Sequence, residues 1–389
     1  MQITPSSRKK IAIFYYVVVK ANGIGKANWL RLEQLCEKYD FTVFATQFEN
    51  PRPDRIRWVW VPCFLKPSLL ATITFRFNAS IAYLWYRLIG RGRFDIVQSS
   101  DAAIGQIGIA DAHFCNRRYL PLMLAETRLT RPRELAALIS RFLNSAFERR
   151  IYRKAQVVIV PSAGLRRELI GAHKIDPHKI SVFYPPVSTT IRQSSTEEKA
   201  RVRCEMGISE SDVVLLLVSL GDFQRKGLGP LIDALADPRL TCARLLIVGG
   251  TPPASYRDQA RARGLGARVE FCGKHESIQR FFTAADAFVL PSKYEVFPAV
   301  TIEAAGGALP VIATPLNGVE EYAVDGVTGF AIHDCSAKAI ADAVARFVSL
   351  SKPARLDMGL NARKAVQRFT LDRFIDSWDR LYSEFGAST

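Results

Sequence analysis

The stretch YEVFPAVTIEAAGGALPVIATP, Tyr294 to Pro315, is apolar except for two carboxylates, Glu295 and Glu303, with seven residues between them. DAFVLP before it reads as a buried strand, and PVIA within it as another. The chain between them must therefore turn, form a short helix and turn back, which is the repeating unit of a parallel α/β sheet. Pro298 is tolerated in a first helical turn and places the helix start near Phe297, Pro298 and Ala299. Glu295 then lies in the loop at the strand's carboxyl end, and Glu303 about a turn and a half into the helix. The free N–H groups and positive dipole end between them form a seat for phosphate. The same spacing also fits a solvated loop residue and an exposed helical one.

The strand–helix alternation extends outward from this segment in both directions, and predicts an α/β protein of two doubly wound, Rossmann-like domains. Tyr184–Glu198, YPPVSTTIRQSSTEE, interrupts it with two prolines and a polar run, a domain boundary. The expected organisation is an N-terminal domain over 1–184, a second over 185–370, and a final amphipathic helix over 371–389 packing back towards the first. Two such domains would face a cleft, with ligands at the carboxyl ends of the strands. Ile11–Val19 is expected as one buried strand. Its basic start also has the outline of a signal peptide, but no A-x-A-like site follows. No stretch reaches the roughly 18 uncharged apolar residues of a membrane span.

The formal charge of +16 is unevenly spread: residues 1–184 hold 29 Lys+Arg against 13 Asp+Glu, and residues 185–389 hold 24 of each. An excess confined to one half points to an anionic partner for that half. Trp60, Phe64, Leu69, Leu70 and the run from Phe75 to Tyr86, with Arg76, Arg87, Arg91 and Arg93, suggest a basic-aromatic surface suited to an anionic membrane, or a core helix with solvated arginines. Seven scattered cysteines without a C-x-x-C pair suit a reducing cytosol and argue against a disulfide framework or a zinc site.

Three further motifs follow strands. In LGDFQRKGLG, Gly221 allows a tight turn, and Arg225 and Lys226 are adjacent cations before a helix, the counter-charge a diphosphate needs. In ANGIGKAN, Gly23 and Gly25 let backbone approach a ligand closely. The pattern nears the dinucleotide fingerprint, but its third position is Asn28. In ADAHF, His113 lies just past a strand, where a lone histidine is either structural or functional. The other histidines show no metal-ligand spacing, and no D-x-D occurs.

Pro291–Phe330 as a whole resembles the nucleotide-sugar segment of the family 4 glycosyltransferases, retaining enzymes of the GT-B fold. Glu295 and Glu303 match the E-x7-E acids, Gly307 the small-residue turn, Pro310 and Val311 the next strand, Glu321 the later acid, and Gly326 and Gly329 the last turn. Lys226–Gly227 resembles the family's diphosphate loop. The usual upstream arginine falls at Leu220, so Arg225 is inferred to take its share. The resemblance implies that Glu295 and His113 contact the transferred sugar and Glu303 the donor ribose. It also implies a glycine-rich loop at Gly23 and Gly25 facing the donor phosphates and the acceptor. The expected activity is metal-independent transfer of a hexosyl group, with no cofactor beyond the nucleoside diphosphate sugar. Its expected acceptor is a glycan or lipid-linked hydroxyl compound of cell-envelope synthesis, reached from the cytoplasm, with contact to the cytoplasmic face of the inner membrane. A nucleotide-sugar epimerase of the same fold is the alternative. A nucleic-acid-binding protein leaves the two-acid segment without a role, so nucleic acid is not an expected partner.

Overall fold

The computed structural model describes residues 8–20, 23–64, 68–89, 93–101, 103–105, 107–126, 132–187 and 191–386. The chain divides into two units, Met1–Pro186 with Leu371–Thr389, and Val187–Thr370.

The first unit runs β1 (Lys10–Phe14), β2 (Val17–Val18), α1 (Gly23–Leu35), β3 (Asp40–Ala45), β4 (Gln47–Phe48), β5 (Arg57–Trp60), α2 (Ser68–Leu88), β6 (Ile96–Ser100), β7 (Ile109–Asp111), α3 (Asn116–Glu126), α4 (Pro132–Lys154), β8 (Val157–Val160), α5 (Ala163–His173) and β9 (Ile180–Val182). Seven strands form a parallel sheet in the order β5-β3-β1-β6-β7-β8-β9. β1 is central, Ile11 pairing with Phe41 on one side and Ile96 on the other, which is why its apolar run is unbroken. The strand expected over Ile11–Val19 is in fact two. The chain leaves the sheet after Phe14, Tyr15 N donates to Phe44 O, and β2 pairs separately with β4.

The second unit runs α6 (Thr196–Glu205), β10 (Val213–Ser219), α7 (Leu228–Ala234), β11 (Ala243–Gly249), α8 (Ala254–Ala262), β12 (Val269–Gly273), α9 (Gln279–Ala284), β13 (Ala287–Leu290), α10 (Ala299–Gly306), β14 (Val311–Ala313), β15 (Gly329–Ala331), α11 (Ala337–Val348) and α12 (Lys352–Val366). Its parallel sheet has the order β12-β11-β10-β13-β14-β15. Asp286 fixes the start of β13. Its carboxylate accepts from Lys199 Nζ (2.8 Å), Val214 N (2.7 Å) and the Arg203 guanidinium. α6 begins inside the stretch expected as linker, where Ser195 and Glu198 stand at capping-box spacing and Ser195 Oγ accepts from Glu198 N at 3.2 Å.

The last helix, α13 (Leu371–Glu384), packs on α1 of the first unit and buries Phe374, Trp378 and Tyr382. Lys9 Nζ donates to the carbonyls of Tyr382 (3.0 Å), Ser383 (2.7 Å) and Phe385 (3.0 Å), a cation at the negative end of that helix.

Candidate active site

Strand order reverses between β10 and β13, the two central strands of the second sheet. Such a switch point opens a crevice beyond the carboxyl ends of its strands. The loop after β10 carries Gly221, Arg225 and Lys226, and the loop after β13 carries Glu295. Residues about seventy positions apart in sequence are thereby brought together. Glu295 Oε1 accepts from Lys226 Nζ at 2.5 Å, Arg225 Nη1 at 3.0 Å and Ser292 Oγ at 2.8 Å. Arg225 also donates from Nη1 to Tyr294 O (2.7 Å) and from Nε to Asp222 (2.6 Å), and its own carbonyl accepts from Lys293 N at 2.8 Å.

Glycine makes this approach of the two loops feasible. Gly227 has φ +73°, and a Cβ there would lie 2.1 Å from Pro291 O. Glu295 is only 8% exposed, so its charge requires the partners it has. Two carboxylates, Glu295 and Asp222, face the two cations, so an incoming anion binds here by displacing a carboxylate from Lys226 and Arg225. Leu220, where the family's upstream arginine would fall, is 70% exposed, while the Arg225 guanidinium is turned onto Glu295.

The helix after Glu295 starts where the prolines predict. Pro298 is the N-cap of α10 and provides no side-chain cap, though its carbonyl accepts from Thr301 N at 3.0 Å. Ala299 is the first helical residue. Phe297 is held edge-on against Phe369 at 5.7 Å, and Thr301 Oγ1 donates to Pro298 O at 2.8 Å. Glu303 is the fifth residue of the helix and is half-buried. Loop acid and helix acid thus stand on two different elements.

In the first unit, His113 follows β7. Its backbone N donates to Asp101 Oδ1 at 3.0 Å, and its Nε2 lies 3.3 Å from Asp111 Oδ2. Burial opposes charge on this imidazole, but the carboxylates of Asp111 and Asp101 outweigh it and hold His113 above its ordinary value. Burial likewise pushes the Asp101 carboxyl up, whereas His113 and Arg31 overcome burial at Asp111 and hold it down. Gly23 and Gly25 lie within the first turn of α1, not in a loop before it, which corrects the expected glycine-rich loop. Ser292, Asp222 and Asp111 escaped sequence reasoning. Ser292 stands three residues before Glu295 and Asp111 two before His113, spacings that gain meaning only once the main residue is known.

Folding also brings His173 to Cys115 and Glu148. All three are buried, with ligand atoms within 4.8 Å of one another, a proximity that the histidine spacing did not suggest. Glu148 accepts there from Asn116 N (3.0 Å) and pairs with His173 Nε2 (3.0 Å), at the start of α3. Burial pushes the Cys115 thiol up to about 12, so a metal there would have to displace the thiol proton. The group is built as a hydrogen-bonded helix cap. A cavity of about 680 Å³, lined by Lys10, Asp40, Arg55, Arg57, Tyr86 and Arg93, opens at the amino ends of β1, β3 and β5, away from the strand ends where ligands sit.

The expected basic-aromatic surface is only partly basic. Trp60 and Phe64 are exposed, and α2 buries Phe75, Ala79, Tyr83 and Tyr86 while presenting Leu70, Ile73, Phe77, Ile81, Leu84 and Trp85 to solvent. Arg87 and Arg93 are exposed. Arg76 instead turns inward, over the ring of Phe147 at 4.5 Å. Arg91 lies outside the described residues. Among the described residues, no helix is long and apolar enough to cross a membrane.

Two family models match this chain: Glycosyltransferase Family 4 over residues 22–191 and Glycosyl transferases group 1 over residues 207–365. A D-inositol 3-phosphate glycosyltransferase of Corynebacterium aurimucosum is 29% identical over 253 residues, 61% of this chain and 59% of that protein. The chain thus spans less than two thirds of that relative's length. An uncharacterised glycosyltransferase of Methanocaldococcus jannaschii is 25% identical over 76% of this chain and 75% of its own. Among solved structures, WaaG, a glycosyltransferase involved in lipopolysaccharide biosynthesis, superposes with a TM-score of 0.74 at 19% identity, covering 95% of this chain and 99% of that one. Sucrose-phosphate synthase from Thermosynechococcus elongatus gives 0.75 at 19% identity, covering 98% and 100%. HepE of Anabaena in complex with UDP-glucose gives 0.69 at 18% identity, covering 97% and 100%.

Proposed function

The chain belongs to glycosyltransferase family 4, with the GT-B fold, and from that premise we propose that it moves a hexosyl group from a nucleoside diphosphate sugar to a hydroxyl with retention of configuration. The observation that carries this reading is the Glu295–Lys226–Arg225 cluster at the strand switch point. An incoming diphosphate competes with Glu295 for the two cations, and frees the carboxylate for the sugar hydroxyls. The C1–O bond to the β-phosphate then breaks as the C1–O bond to the acceptor forms on the same face. The acceptor's proton passes to the departing phosphate oxygen, whose growing charge Lys226 and Arg225 stabilise. Glu303 reads the ribose, Gly221 and the Phe297–Ala299 backbone border the phosphates, and the family resemblance assigns His113 to the sugar and Gly23 and Gly25 to the donor. The reaction needs no metal, since the cations are supplied by the protein.

The acceptor in this reading is an anionic or lipid-linked glycan of envelope polysaccharide or lipopolysaccharide synthesis. The enzyme works in the cytoplasm at the inner-membrane face, and nucleic acid is not a partner. The charge confined to residues 1–184 and the apolar outer face of α2 support this. UDP-, GDP- and ADP-sugars should be screened for diphosphate release with EDTA present, and the anomer formed on a lipid-linked acceptor read by NMR. Acceptor-dependent release with retention supports the proposal. Inversion of the product, or an epimerised donor formed without acceptor, refutes it.

A further inference from the structure

Beneath His113 lies a chain of buried polar groups that the proposed transfer reaction leaves unused. Arg31 is 0% exposed and Asp111 2%. Arg31 Nη1 stands 3.7 Å from Asp111 Oδ2, which also has His113 Nε2 at 3.3 Å and the Gln98 amide at 3.4 Å. The neighbours of Gln98 assign its amide with the oxygen accepting from Arg31 Nη1 (2.9 Å) and Nη2 (3.3 Å), and the nitrogen donating to Tyr382 Oη (2.6 Å). The Arg31 guanidinium stacks over the Trp378 ring at 4.0 Å. Tyr382 and Trp378 both belong to α13, the last helix of the chain. A fully buried arginine is costly unless its charge is matched, so this chain of contacts has a defined cost of disruption.

We propose that Asp111 is a positioning residue for His113, and that Arg31, locked by Gln98, Tyr382 and Trp378, sets how strongly Asp111 holds the imidazole. α13 thereby acts on the transfer site without touching substrate. The part concerning transfer rests on the His113 role proposed above. The other groups facing His113 are Asp101, Tyr15 at the end of β1 (ring centroids 6.1 Å apart) and, through its bond to Asp101 O at 3.4 Å, Arg76. None of them connects His113 to α13.

The signs of the two charges make the test specific. The full chain is labelled with ¹⁵N-histidine, its five histidines are titrated by NMR, and His113→Gln identifies the signal of interest. Asp111→Asn removes the holding charge and should lower the His113 pKa by about one unit or more. Arg31→Met removes the competing cation and should raise it, while Arg31→Lys, which keeps the charge, should return it towards wild type. If Asp111→Asn does not fold, the Met/Lys pair at Arg31 still decides. Equal effects of Met and Lys, or shifts of the same sign from Asp111→Asn and Arg31→Met, overturn the proposal. The alkaline limb of kcat/KM tests the separate premise. If the titration moves as expected and that limb does not, the network holds His113, and its sugar contact is what fails.

Discussion

Replacing Glu295 by Gln keeps the side chain's shape and one acceptor oxygen but removes the charge that two cations share. Glu295 Oε1 has Lys226 Nζ at 2.5 Å and Arg225 Nη1 at 3.0 Å. At an effective dielectric of about 20, each such pair has a Coulomb term of roughly 6 kcal/mol, largely offset by desolvation. Breaking a buried pair costs about 3–5 kcal/mol. Arg225 retains Asp222 and Tyr294 O, and its side chain is 21% exposed, which places this case at about 2–3 kcal/mol. The functional effect should separate from that cost. Lys226, released from Glu295, and Arg225, still held by Asp222, remain available to the diphosphate, so donor KM should hold or fall. The carboxylate's bonds to the sugar strengthen as charge develops, so kcat should drop by about a hundredfold to a thousandfold. Initial rates of nucleoside diphosphate release against donor concentration, beside urea unfolding of the same samples, measure both. A folded variant with kcat within twofold of wild type would refute the role of Glu295. A raised KM at unchanged kcat would show that it contributes ground-state binding alone.

Gly227→Ala forces a Cβ to 2.1 Å from Pro291 O at φ +73°. The loop bearing Arg225 and Lys226 must move, and kcat/KM should fall more than tenfold while circular dichroism stays native. Asp286→Asn should destabilise the second unit by about 3–5 kcal/mol in urea at neutral pH. Burial opposes charge on Asp286, but Lys199 and Arg203 outweigh it and hold this carboxyl below its ordinary 3.8. Its contribution is therefore present above that value and lost as the pH falls through the lowered one, so the stabilities of variant and wild type should converge in acid. Phe77→Ser with Trp85→Ser removes two exposed side chains of α2, each worth about 1.5–3 kcal/mol when buried in an apolar phase. Recovery with anionic liposomes in a flotation gradient should fall at least tenfold. Wild-type protein that stays at the bottom of the gradient would remove the membrane contact from the proposed function.

Most strands were legible because a strand buried on both faces is an unbroken apolar run. Val213–Ser219, Ala287–Leu290 and Val311–Ala313 stand where their runs lie. A helix with a faint apolar face is harder to read. α12 buries Met358, Gly359, Ala362 and Val366 among charged neighbours, and Gly359 is needed there because a Cβ would meet Ala308 O at 2.1 Å. A small residue chosen for close approach leaves little hydrophobic signal. α6 was legible through its capping box but was obscured by the polar run before it.

The sequence by itself determined that the chain alternates strand and helix, that Glu295 belongs to a loop and Glu303 to a helix, and that the positive excess lies in the first half. Each of these depends on residues near one another along the chain: a period, a proline, a local count. Only the tertiary structure decided that Glu295 rests on Lys226 and Arg225, because that contact depends on β10 and β13 being neighbours in the sheet. It alone turned Arg76 inward, away from the surface its sequence neighbours suggested. It alone joined Tyr382 to His113 through Gln98, Arg31 and Asp111, residues drawn from α13, β6, α1 and β7. The physical reason is the same in each case: a charge is stabilised by what surrounds it in space, and sheet order, not sequence distance, sets those surroundings.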